Sequence, residues 1–308
     1  MEPLPLIVDI KRHSLEDGPG IRSVVFFKGC PLRCVFCQNP ETQDPRMEIS
    51  FSVNACIRCE MCQRICPEGA IRFDLPGRIQ RDRCLRCGAC AAVCPGKGLR
   101  VVGSYFPVET LSEILLRDLP FYRHSGGGVT LAGGEPTLHL DYLEPLLQAL
   151  KASEIHVVLE TSGYFDYGSF RRRILPYIDI IYYDIKVADP QVHRKYTGKT
   201  NGRILGNVRR LLQERAAVVY PRIPLIPNIT ATRENLSAIL HILCDAGAEH
   251  VSLLPYNPMG REAAAGLGNV TVPLPESFMR PDEEKAMCSM FAGLIQELER
   301  SPRPRQEV

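Results

Sequence analysis

The chain has 308 residues, of which 45% are hydrophobic and 23% charged, which excludes wholesale disorder and collagen-like or coiled-coil architectures. Its 37 Lys and Arg nearly balance 35 Asp and Glu, and a net charge of +2 argues against nucleic acid as the main partner. No apolar run approaches the roughly 20 residues of a membrane span, and the N-terminus lacks a signal-peptide pattern. We therefore expect no membrane association and a cytoplasmic location. The unusual feature is that eleven of the thirteen cysteines lie between Cys30 and Cys94, which favours metal binding over disulfides.

The first predicted parallel strand, Ser23–Phe27, leads directly into three closely spaced cysteines, Cys30, Cys34 and Cys37. Tetrahedral zinc and a cubane held only by protein both take four ligands, and no fourth Cys or His is adjacent. The spacing C-x3-C-x2-C therefore indicates a [4Fe–4S] cluster with one iron left open. A zinc site that borrows His13 is the poorly supported alternative.

The next cysteines repeat one pattern, C-x2-C-x2-C-x3-C-P, twice with an offset of 28 residues. This is the pattern of bacterial two-cluster ferredoxins, in which the fourth cysteine of each run ligates the other cluster. We therefore predict two [4Fe–4S] clusters, and two structural zinc sites are the less favoured alternative. The predicted ligand sets are Cys56, Cys59, Cys62 and Cys94 for one cluster and Cys84, Cys87, Cys90 and Cys66 for the other.

Residues 50–103, which we call the inserted segment, carry an excess of positive charge. From Cys56 to Gly103 there are nine Lys or Arg against four Asp or Glu. This charge either offsets the anionic clusters or attracts an acidic electron donor, a reduced flavodoxin or ferredoxin. The arginines interleaved with the cysteines are Arg58, Arg64, Arg83 and Arg86.

Outside the inserted segment, β-branched runs alternate with helical patterns, which predicts an α/β protein of parallel βα units in an open or partial barrel. The predicted strands are Ser23–Phe27, Gly128–Ala132, Ile155–Glu160, Ile178–Lys186, Ala217–Leu225 and His250–Pro255. The predicted helices are Thr110–Leu119, Leu140–Ser153, Asn207–Arg215 and Arg233–Ala246. The predicted domains are a barrel of residues 1–49 and 104–260, an inserted domain of 50–103, and a C-terminal extension of 261–308 with a short helix over Pro281–Arg300 and a disordered tail. The isolated Cys244 and Cys288 are expected to be buried small hydrophobes.

Glycines and charged residues follow these strands, at the ends where βα proteins bind ligands. An open iron can chelate an amine and a carboxylate, and S-adenosylmethionine (SAM) supplies both. The turn Gly133-Gly134-Glu135 would let its backbone approach the methionyl ammonium while the Glu135 carboxylate accepts its proton. Further candidates at the strand ends are Asp184, Lys186, Arg222 and Asn257.

The residues Asp17-Gly18-Pro19-Gly20-Ile21-Arg22, the cysteine triad and Gln38-Asn39-Pro40-Glu41 together resemble the glycyl radical enzyme activating enzymes of the radical SAM superfamily, relatives of the pyruvate formate-lyase activating enzyme. The resemblance extends from about His13 to Gly260. It includes the ferredoxin insertion that the larger members carry after the triad. It implies a partial (β/α)6 radical SAM barrel with an inserted two-[4Fe–4S] ferredoxin-like domain.

Position by position, the resemblance implies three groups of site residues. The cluster and catalytic residues are Cys30, Cys34, Cys37 and Asp17, the last in a turn that a substrate loop could reach but that also has local reasons to form. The SAM-binding residues are Phe36 against the adenine, Gln38, then Gly133, Gly134 and Glu135 at the methionyl amine, and Arg222 and Asn257 on the last two strands. Asp184, Ile185 and Lys186 match an element near SAM and a monovalent cation site. The family usually has His where this chain has Asn257.

The resemblance also implies an activity. The reduced triad cluster would cleave SAM, and the resulting 5′-deoxyadenosyl radical would remove a Cα hydrogen from one glycine of a partner glycyl radical enzyme. The cofactors would be three [4Fe–4S] clusters and SAM, the electron donor a flavodoxin or ferredoxin, and the chain a monomer. Two other functions stay open: a radical SAM enzyme for a small molecule or peptide, and an electron carrier, which would have no use for an open iron.

Overall fold

The computed structural model describes residues 4–269 and 272–300. Within these ranges the strands are β1 (Leu6–Ser14), β2 (Arg22–Phe27), β3 (Glu48–Phe51), β4 (Leu99–Val102), β5 (Ser104–Tyr105), β6 (Gly128–Gly133), β7 (His156–Thr161), β8 (Ile180–Asp184), β9 (Val218–Pro224) and β10 (Ser252–Leu254). The helices are α1 (Met61–Ile65), α2 (Ala89–Ala92), α3 (Val108–Leu116), α4 (Leu119–Ser125), α5 (Leu140–Ala152), α6 (Tyr167–Arg173), α7 (Pro190–Thr197), α8 (Gly202–Glu214), α9 (Arg233–Asp245), α10 (Gly260–Leu267) and α11 (Pro281–Arg300). None of these helices has the length and apolar character that a bilayer crossing requires.

The main sheet has the strand order β10-β9-β8-β7-β6-β2-β1-β5. Strands β2, β6, β7, β8, β9 and β10 are parallel to their neighbours in chain order, as right-handed βα units require. Strand β1 pairs antiparallel with β2, and β5 with β1. In the described ranges β10 and β5 form the two ends of an open sheet. The predicted α/β class with six parallel strands in a partial barrel is confirmed.

The side chains of the parallel strands alternate between the two faces of the sheet, as the period of two demands. One face packs under the helices and supplies the main core, including Val25, Leu131, Leu159, Ile181 and Ile223. The opposite, concave face carries the intervening residues, among them Thr130, Glu160, Tyr182, Asp184 and Arg222. Polar groups are therefore concentrated on the concave face.

The inserted segment follows β2 in the chain and leads back to the main sheet at β5, which pairs with β1. Its strands β3 and β4 pair antiparallel, with Glu48 opposite Val102 and Phe51 opposite Leu99. A small separate core of Ile49, Phe51, Ile71, Ile79, Cys90 and Leu99 lies within it. Strand β3 begins two residues before the predicted domain start, and the domain limits stay a prediction.

Several expectations about local structure need correction. The predicted helix Thr110–Leu119 is two helices, α3 and α4, because Pro120 in the first turn of α4 has no amide hydrogen to continue α3. Helix α8 begins at Gly202 rather than Asn207. Cys244 and Cys288 are exposed, not buried. The predicted helix Pro281–Arg300 is present as α11, and the predicted disordered tail, 301–308, lies outside the described residues.

Candidate active site

The cysteine triad lies in a loop that directly follows β2 and is fixed by backbone hydrogen bonds. The amide of Gly29 donates to Thr42 O at 2.7 Å, and the amide of Cys30 donates to Gln43 O at 3.1 Å. Further along, the amide of Val35 donates to Tyr196 O at 3.0 Å, at the end of α7. These bonds hold an irregular loop in one conformation although it belongs to no helix or strand.

The three thiols of the triad lie close enough to influence one another. Burial, together with the neighbouring thiols, raises the pKa of Cys30, and burial raises the pKa of Cys34 to about 12. Burial also raises the pKa of Cys37, while Lys186 favours the thiolate forms of Cys34 and Cys37. Three crowded, desolvated thiols become thiolates only beside strong positive charge, which iron supplies. The donor set therefore fits an iron–sulfur cluster.

The Gly-Gly turn after β6 lies against the triad loop. A Cβ atom at Gly134 would lie 2.1 Å from Gly29 O, and one at Gly133, which has φ +110°, would lie 2.5 Å from Phe27 N. The amide of Glu135 donates to Gly29 O at 2.8 Å. Glycine is therefore required at both positions, because any side chain would push the two backbones apart.

The carboxylate of Glu135 has a different role from the one expected. It is fully buried. It accepts hydrogen bonds from Thr137 Oγ1 at 2.7 Å, Thr161 Oγ1 at 2.8 Å, and the amide and hydroxyl of Ser162 at 2.9 and 2.6 Å. Because protein donors occupy both oxygens, a direct bond to a ligand ammonium is not what this geometry supports. Glu135 instead joins the ends of β6 and β7 and positions the turn.

A network of charged side chains lies beside the triad on the concave face. Asp184 and Arg222 are register partners on β8 and β9, and the Arg222 guanidinium lies 2.9 Å from Asp184 Oδ1 and 2.8 Å from Glu160 Oε1. It also lies 4.7 Å from the ring centre of Tyr182. Lys186 Nζ is 3.4 Å from Asp184 Oδ2. Sequence reasoning did not assign Glu160 to the site, although strand alternation places it on this face.

The network controls the charge of its carboxyl groups. Burial opposes ionisation of Asp184, but Arg222 and Lys186 outweigh it and hold the pKa of Asp184 below its usual value. Burial dominates at Glu160, so the pKa of Glu160 lies above its usual value despite Arg222. Asp184 therefore keeps a negative charge between two cations.

A cleft of about 240 Å³ opens beside the triad, lined by Cys34, Phe36, Cys37, Gln43 and Asn257 among others. Phe36 is buried and packs with Ile226 and Tyr256. Asn257 Oδ1 accepts from the amide of Met259 at 2.9 Å. Gln43 was not predicted as a site residue. Its side-chain Nε2 donates to Cys34 O at 3.0 Å. Gln38 is exposed, and its backbone meets the start of α10.

Two predicted site residues lie apart from this assembly. The side chain of Ile185 is buried in the core under the helices, so only its backbone, whose amide donates to Arg222 O at 2.9 Å, faces the site. Asp17 lies deeper in the barrel: its carbonyl accepts from Thr130 Oγ1 at 2.7 Å, and its carboxylate contacts Ser14 and Lys11. Thr130 precedes Gly133 by three residues, about 10 Å along β6.

The cysteines of the inserted segment are grouped around two small cavities. Cys56, Cys59, Cys62 and Cys94 line one, which we call the Cys56 cavity. Cys66, Cys84, Cys87 and Cys90 line the other, the Cys84 cavity. The fold thus brings the fourth cysteine of each run to the first three of the other run.

Comparison with known proteins places this geometry in context. The radical SAM superfamily model matches residues 85–237, a 4Fe-4S dicluster domain matches 55–97, and a 4Fe-4S single cluster domain matches 16–69. The trans-4-hydroxy-L-proline dehydratase activating enzyme of Clostridioides difficile is 39% identical over 91% of this chain and 93% of its own length. The benzylsuccinate synthase activating enzyme of Thauera aromatica is 38% identical over 86% of this chain and 82% of its own.

Among solved structures, a radical SAM methyltransferase from Sphaerobacter thermophilus has a TM-score of 0.52 at 14% identity, covering 94% of this chain and 75% of that chain, which shows a shared fold. The two activating enzymes match this chain at much higher identity, over 91% and 86% of its length. With the cysteine triad, the Gly-Gly turn and the charged network at one end of the parallel strands, the chain belongs to the glycyl radical enzyme activating enzymes of the radical SAM superfamily.

Proposed function

We propose that this protein cleaves SAM at the triad and generates a glycyl radical on a partner enzyme. The observation that carries the proposal is the convergence of Cys30, the turn at Gly133 and Gly134, and the Arg222–Asp184 pair at one edge of the sheet. A [4Fe–4S] cluster with one open iron, held by Cys30, Cys34 and Cys37, would supply the electron that splits SAM into methionine and a 5′-deoxyadenosyl radical, which takes the glycine hydrogen.

The chain's own residues bind and orient the cofactor on the two sides of the triad. The backbone at Gly133 and Gly134 lies where it could meet the methionyl amine. Lys186 and Arg222 provide cationic partners for a carboxylate or a ribose hydroxyl. Asp184, ionised between them, is the proposed oxygen ligand nearest to a monovalent cation site. Oxygen ligands are what a hard cation prefers.

The cleft at Phe36 and Asn257 is the proposed adenine side of the site. The Phe36 ring is held by packing on Tyr256 and Ile226, which gives a flat apolar wall beside the triad. Asn257 can donate and accept a hydrogen bond but cannot be protonated near neutral pH. Adenine recognition at this position would therefore be independent of pH.

Asp17 is proposed to act toward the substrate rather than toward SAM. It lies deeper in the barrel than the triad, beside Lys11 and Ser14. A glycine-bearing loop that extends past the triad into the barrel would meet this carboxylate. Glycine suits such a loop because its backbone can approach closely.

The inserted segment is proposed to hold two further [4Fe–4S] clusters, one in each cysteine-lined cavity. Crossed ligation is supported by proximity: Cys56 and Cys94 both act on the pKa of Cys62, which burial raises, and Cys84 and Cys66 act on that of Cys90, which burial raises to about 11. With the triad this gives three clusters. We propose the domain limits 1–49 with 104–260, 50–103, and 261–308.

An acidic flavodoxin or ferredoxin is the proposed electron donor. Large apolar side chains are exposed around the two cavities, namely Ile57, Met61, Ile65 and Leu85, which we call the apolar patch. Arg58, Glu60 and Arg64 lie between them in the sequence, so the charge around Ile57, Met61 and Ile65 is positive on balance. Arg86, also interleaved with the cysteines, donates to Asp44 Oδ2 at 3.3 Å and Met47 O at 3.4 Å, and holds the inserted segment to the triad loop.

We further propose a cytoplasmic monomer. A single chain carries every residue of the triad site described above, so a second copy is not needed to complete it. Thiolate clusters also suit a reducing compartment. Size-exclusion chromatography with light scattering under anaerobic conditions would test the monomer.

The function is tested by EPR. The reconstituted protein, SAM and a reductant are incubated without oxygen with a trans-4-hydroxy-L-proline dehydratase or a benzylsuccinate synthase, whose activators match this chain almost equally well. A glycyl radical doublet that disappears when the partner's radical glycine is replaced by alanine supports the proposal. Formation of 5′-deoxyadenosine that depends on a small molecule or short peptide, and leaves every partner without a radical, would favour the alternative radical SAM function.

A further inference from the structure

The strongest unexplained group outside the active site is a buried arginine of the inserted segment, Arg78. Its side chain is only 7% exposed. It lies in a short hairpin that is closed by the bridge between Ile71 and Ile79 and by the Arg72 amide, which donates to Arg78 O at 2.8 Å. Its φ of +60° is a left-handed conformation that non-glycine residues seldom adopt, and such a conformation persists when the surroundings fix it.

The Arg78 guanidinium has an unused donor. One terminal nitrogen donates to Phe73 O, and the group lies 4.1 Å from the Phe73 ring centre and 5.8 Å from that of Phe51. Its Nε is buried and, among the described residues, has no hydrogen-bond partner. A buried, unsatisfied donor of a charged group is costly, so a partner for it is expected.

Arg78 lines the Cys56 cavity. The aromatic rings of Phe51 and Phe73, which line the same cavity, offer no oxygen or sulfur acceptor. The sulfur atoms of a cluster held by the four cysteines would accept such a hydrogen bond. The unsatisfied donor is therefore explained if it points at the group that the Cys56 cavity holds.

The Cys84 cavity has no counterpart to Arg78. In the described part of the chain its lining includes one charged residue, Glu68, and no Lys or Arg. The other charged residues that line the Cys56 cavity, Arg58 and Glu60, have opposite charges that offset each other. The buried positive charge beside one cavity makes the two sites electrostatically different.

We propose that Arg78 donates a hydrogen bond through Nε to the iron–sulfur cluster in the Cys56 cavity and raises its reduction potential above that of the cluster in the Cys84 cavity. Reduction adds a negative charge to an already anionic cluster, and a nearby buried cation stabilises the reduced form. The inference rests on the cluster ligation proposed above. It goes further in assigning different potentials to the two clusters and naming the residue responsible.

The order of the two cavities along β3 points to a function for this difference in reduction potential. Ile49 lines the Cys84 cavity and Phe51, two residues further from the triad loop, lines the Cys56 cavity. Arg86 also ties the Cys84 run to Asp44 in the triad loop. Along β3 the Cys56 cluster is thus the farther of the two from the triad loop, and its higher potential suits it to accept the electron from the donor first.

The test is an EPR-monitored redox titration of the full-length chain with Cys30, Cys34 and Cys37 replaced by alanine, so that only the inserted clusters contribute. In this background Arg78→Met removes the charge and keeps the apolar stem, whereas Arg78→Lys keeps the charge. The control is Arg72→Gln, since Arg72 lies in the same hairpin but is exposed and paired with Asp74.

Arg78→Met is expected to lower one midpoint potential by about 59 mV or more, which is a tenfold or larger loss in the equilibrium constant of a one-electron reduction. The other midpoint should not move. Arg78→Lys should stay near the parent, and Arg72→Gln should match it. Two unshifted midpoints in Arg78→Met with full iron content would overturn the proposal.

Iron content decides the remaining outcomes. If Arg78→Met loses the iron of one inserted cluster but Arg78→Lys retains it, the charge is needed at the cluster, as proposed. If both variants lose it, Arg78 only holds the hairpin and the proposal is wrong. A parent protein with iron for fewer than two inserted clusters would instead refute the ligand assignment, and that is measured before any variant is compared.

Discussion

Lys28 and Glu48 form a buried ion pair, with Lys28 Nζ 2.7 Å from Glu48 Oε2 and the lysine side chain wholly inaccessible to solvent. Lys28 follows β2 and precedes Cys30 by two residues, and Glu48 is the first residue of β3. Lys28 Nζ also donates to Glu41 O at 2.6 Å. One lysine thus joins the strand that carries the triad, the loop behind it and the strand that enters the inserted segment.

From the Lys28–Glu48 ion pair we expect a large loss of stability when one partner is removed. Lys28→Met should lower the free energy of unfolding by about 3 kcal/mol or more, because Glu48 is left buried without its cation. Lys28→Met/Glu48→Leu should recover much of the loss. The control, Arg215→Met, removes an exposed pair with Glu249 and should change the urea midpoint little. A double variant no more stable than Lys28→Met would contradict this account.

Glu135 should affect SAM binding without touching SAM. Glu135→Gln keeps the shape but places an amide against the donors of Thr161 and Ser162, costing about 1 to 3 kcal/mol of stability. The turn at Gly133 then loses its support, so SAM affinity, measured by anaerobic calorimetry, should fall as well. Glu249→Gln, at an exposed carboxylate, is the control. Reduced stability with unchanged SAM affinity would limit Glu135 to a structural role.

Lys186 should be needed for SAM but not for iron. Lys186→Met removes a cation next to the triad while Arg222 remains beside Asp184. Losing a charge-assisted bond of about 1.5 to 3 kcal/mol lowers affinity roughly tenfold or more. The same change at the exposed Lys195 on α7 should have no effect. Unchanged SAM affinity in Lys186→Met would refute placing the carboxylate of SAM at these strand ends.

The apolar patch should matter only for a protein donor. Replacing Ile57, Met61 and Ile65 with serine should slow reduction by flavodoxin or ferredoxin and leave reduction by dithionite unchanged. Arg64→Gln should act in the same direction most strongly at low salt, because the Debye length is about 10 Å at 0.1 M. Val218→Ser, an exposed apolar position on β9, is the control. Equal loss with both reductants would mean that the cluster itself was damaged.

Much of the architecture could be predicted because its signals are local. The six parallel strands are β-branched runs, and every predicted strand lies within two residues of the observed limits. The grouping of Cys94 with Cys56 and of Cys66 with Cys84 was predicted from the two-cluster ferredoxin pattern, in which the fourth cysteine of each run joins the other run. Patterns of this kind depend only on residues close together in the sequence, so they can be recognised without knowing the tertiary contacts.

What could not be predicted depends on contacts between distant residues. The donors that turn the Glu135 carboxylate away from the ligand, at Thr161 and Ser162, come from the next strand. Helix α10 was missed because it packs through small residues: a Cβ atom at Gly260 would lie 2.2 Å from Cys37 O, and one at Gly266 would lie 2.8 Å from Phe51 O. Close backbone packing of this kind leaves no hydrophobic periodicity in the sequence.

The most direct test of the central claim is the yield of 5′-deoxyadenosine from three single variants, Cys30→Ala, Cys34→Ala and Cys37→Ala, each compared with the parent in the presence of SAM and dithionite. The account predicts that each variant loses SAM cleavage yet keeps most of its iron, since the eight cysteines lining the two inserted cavities are untouched. Cleavage retained in any of the three would contradict it.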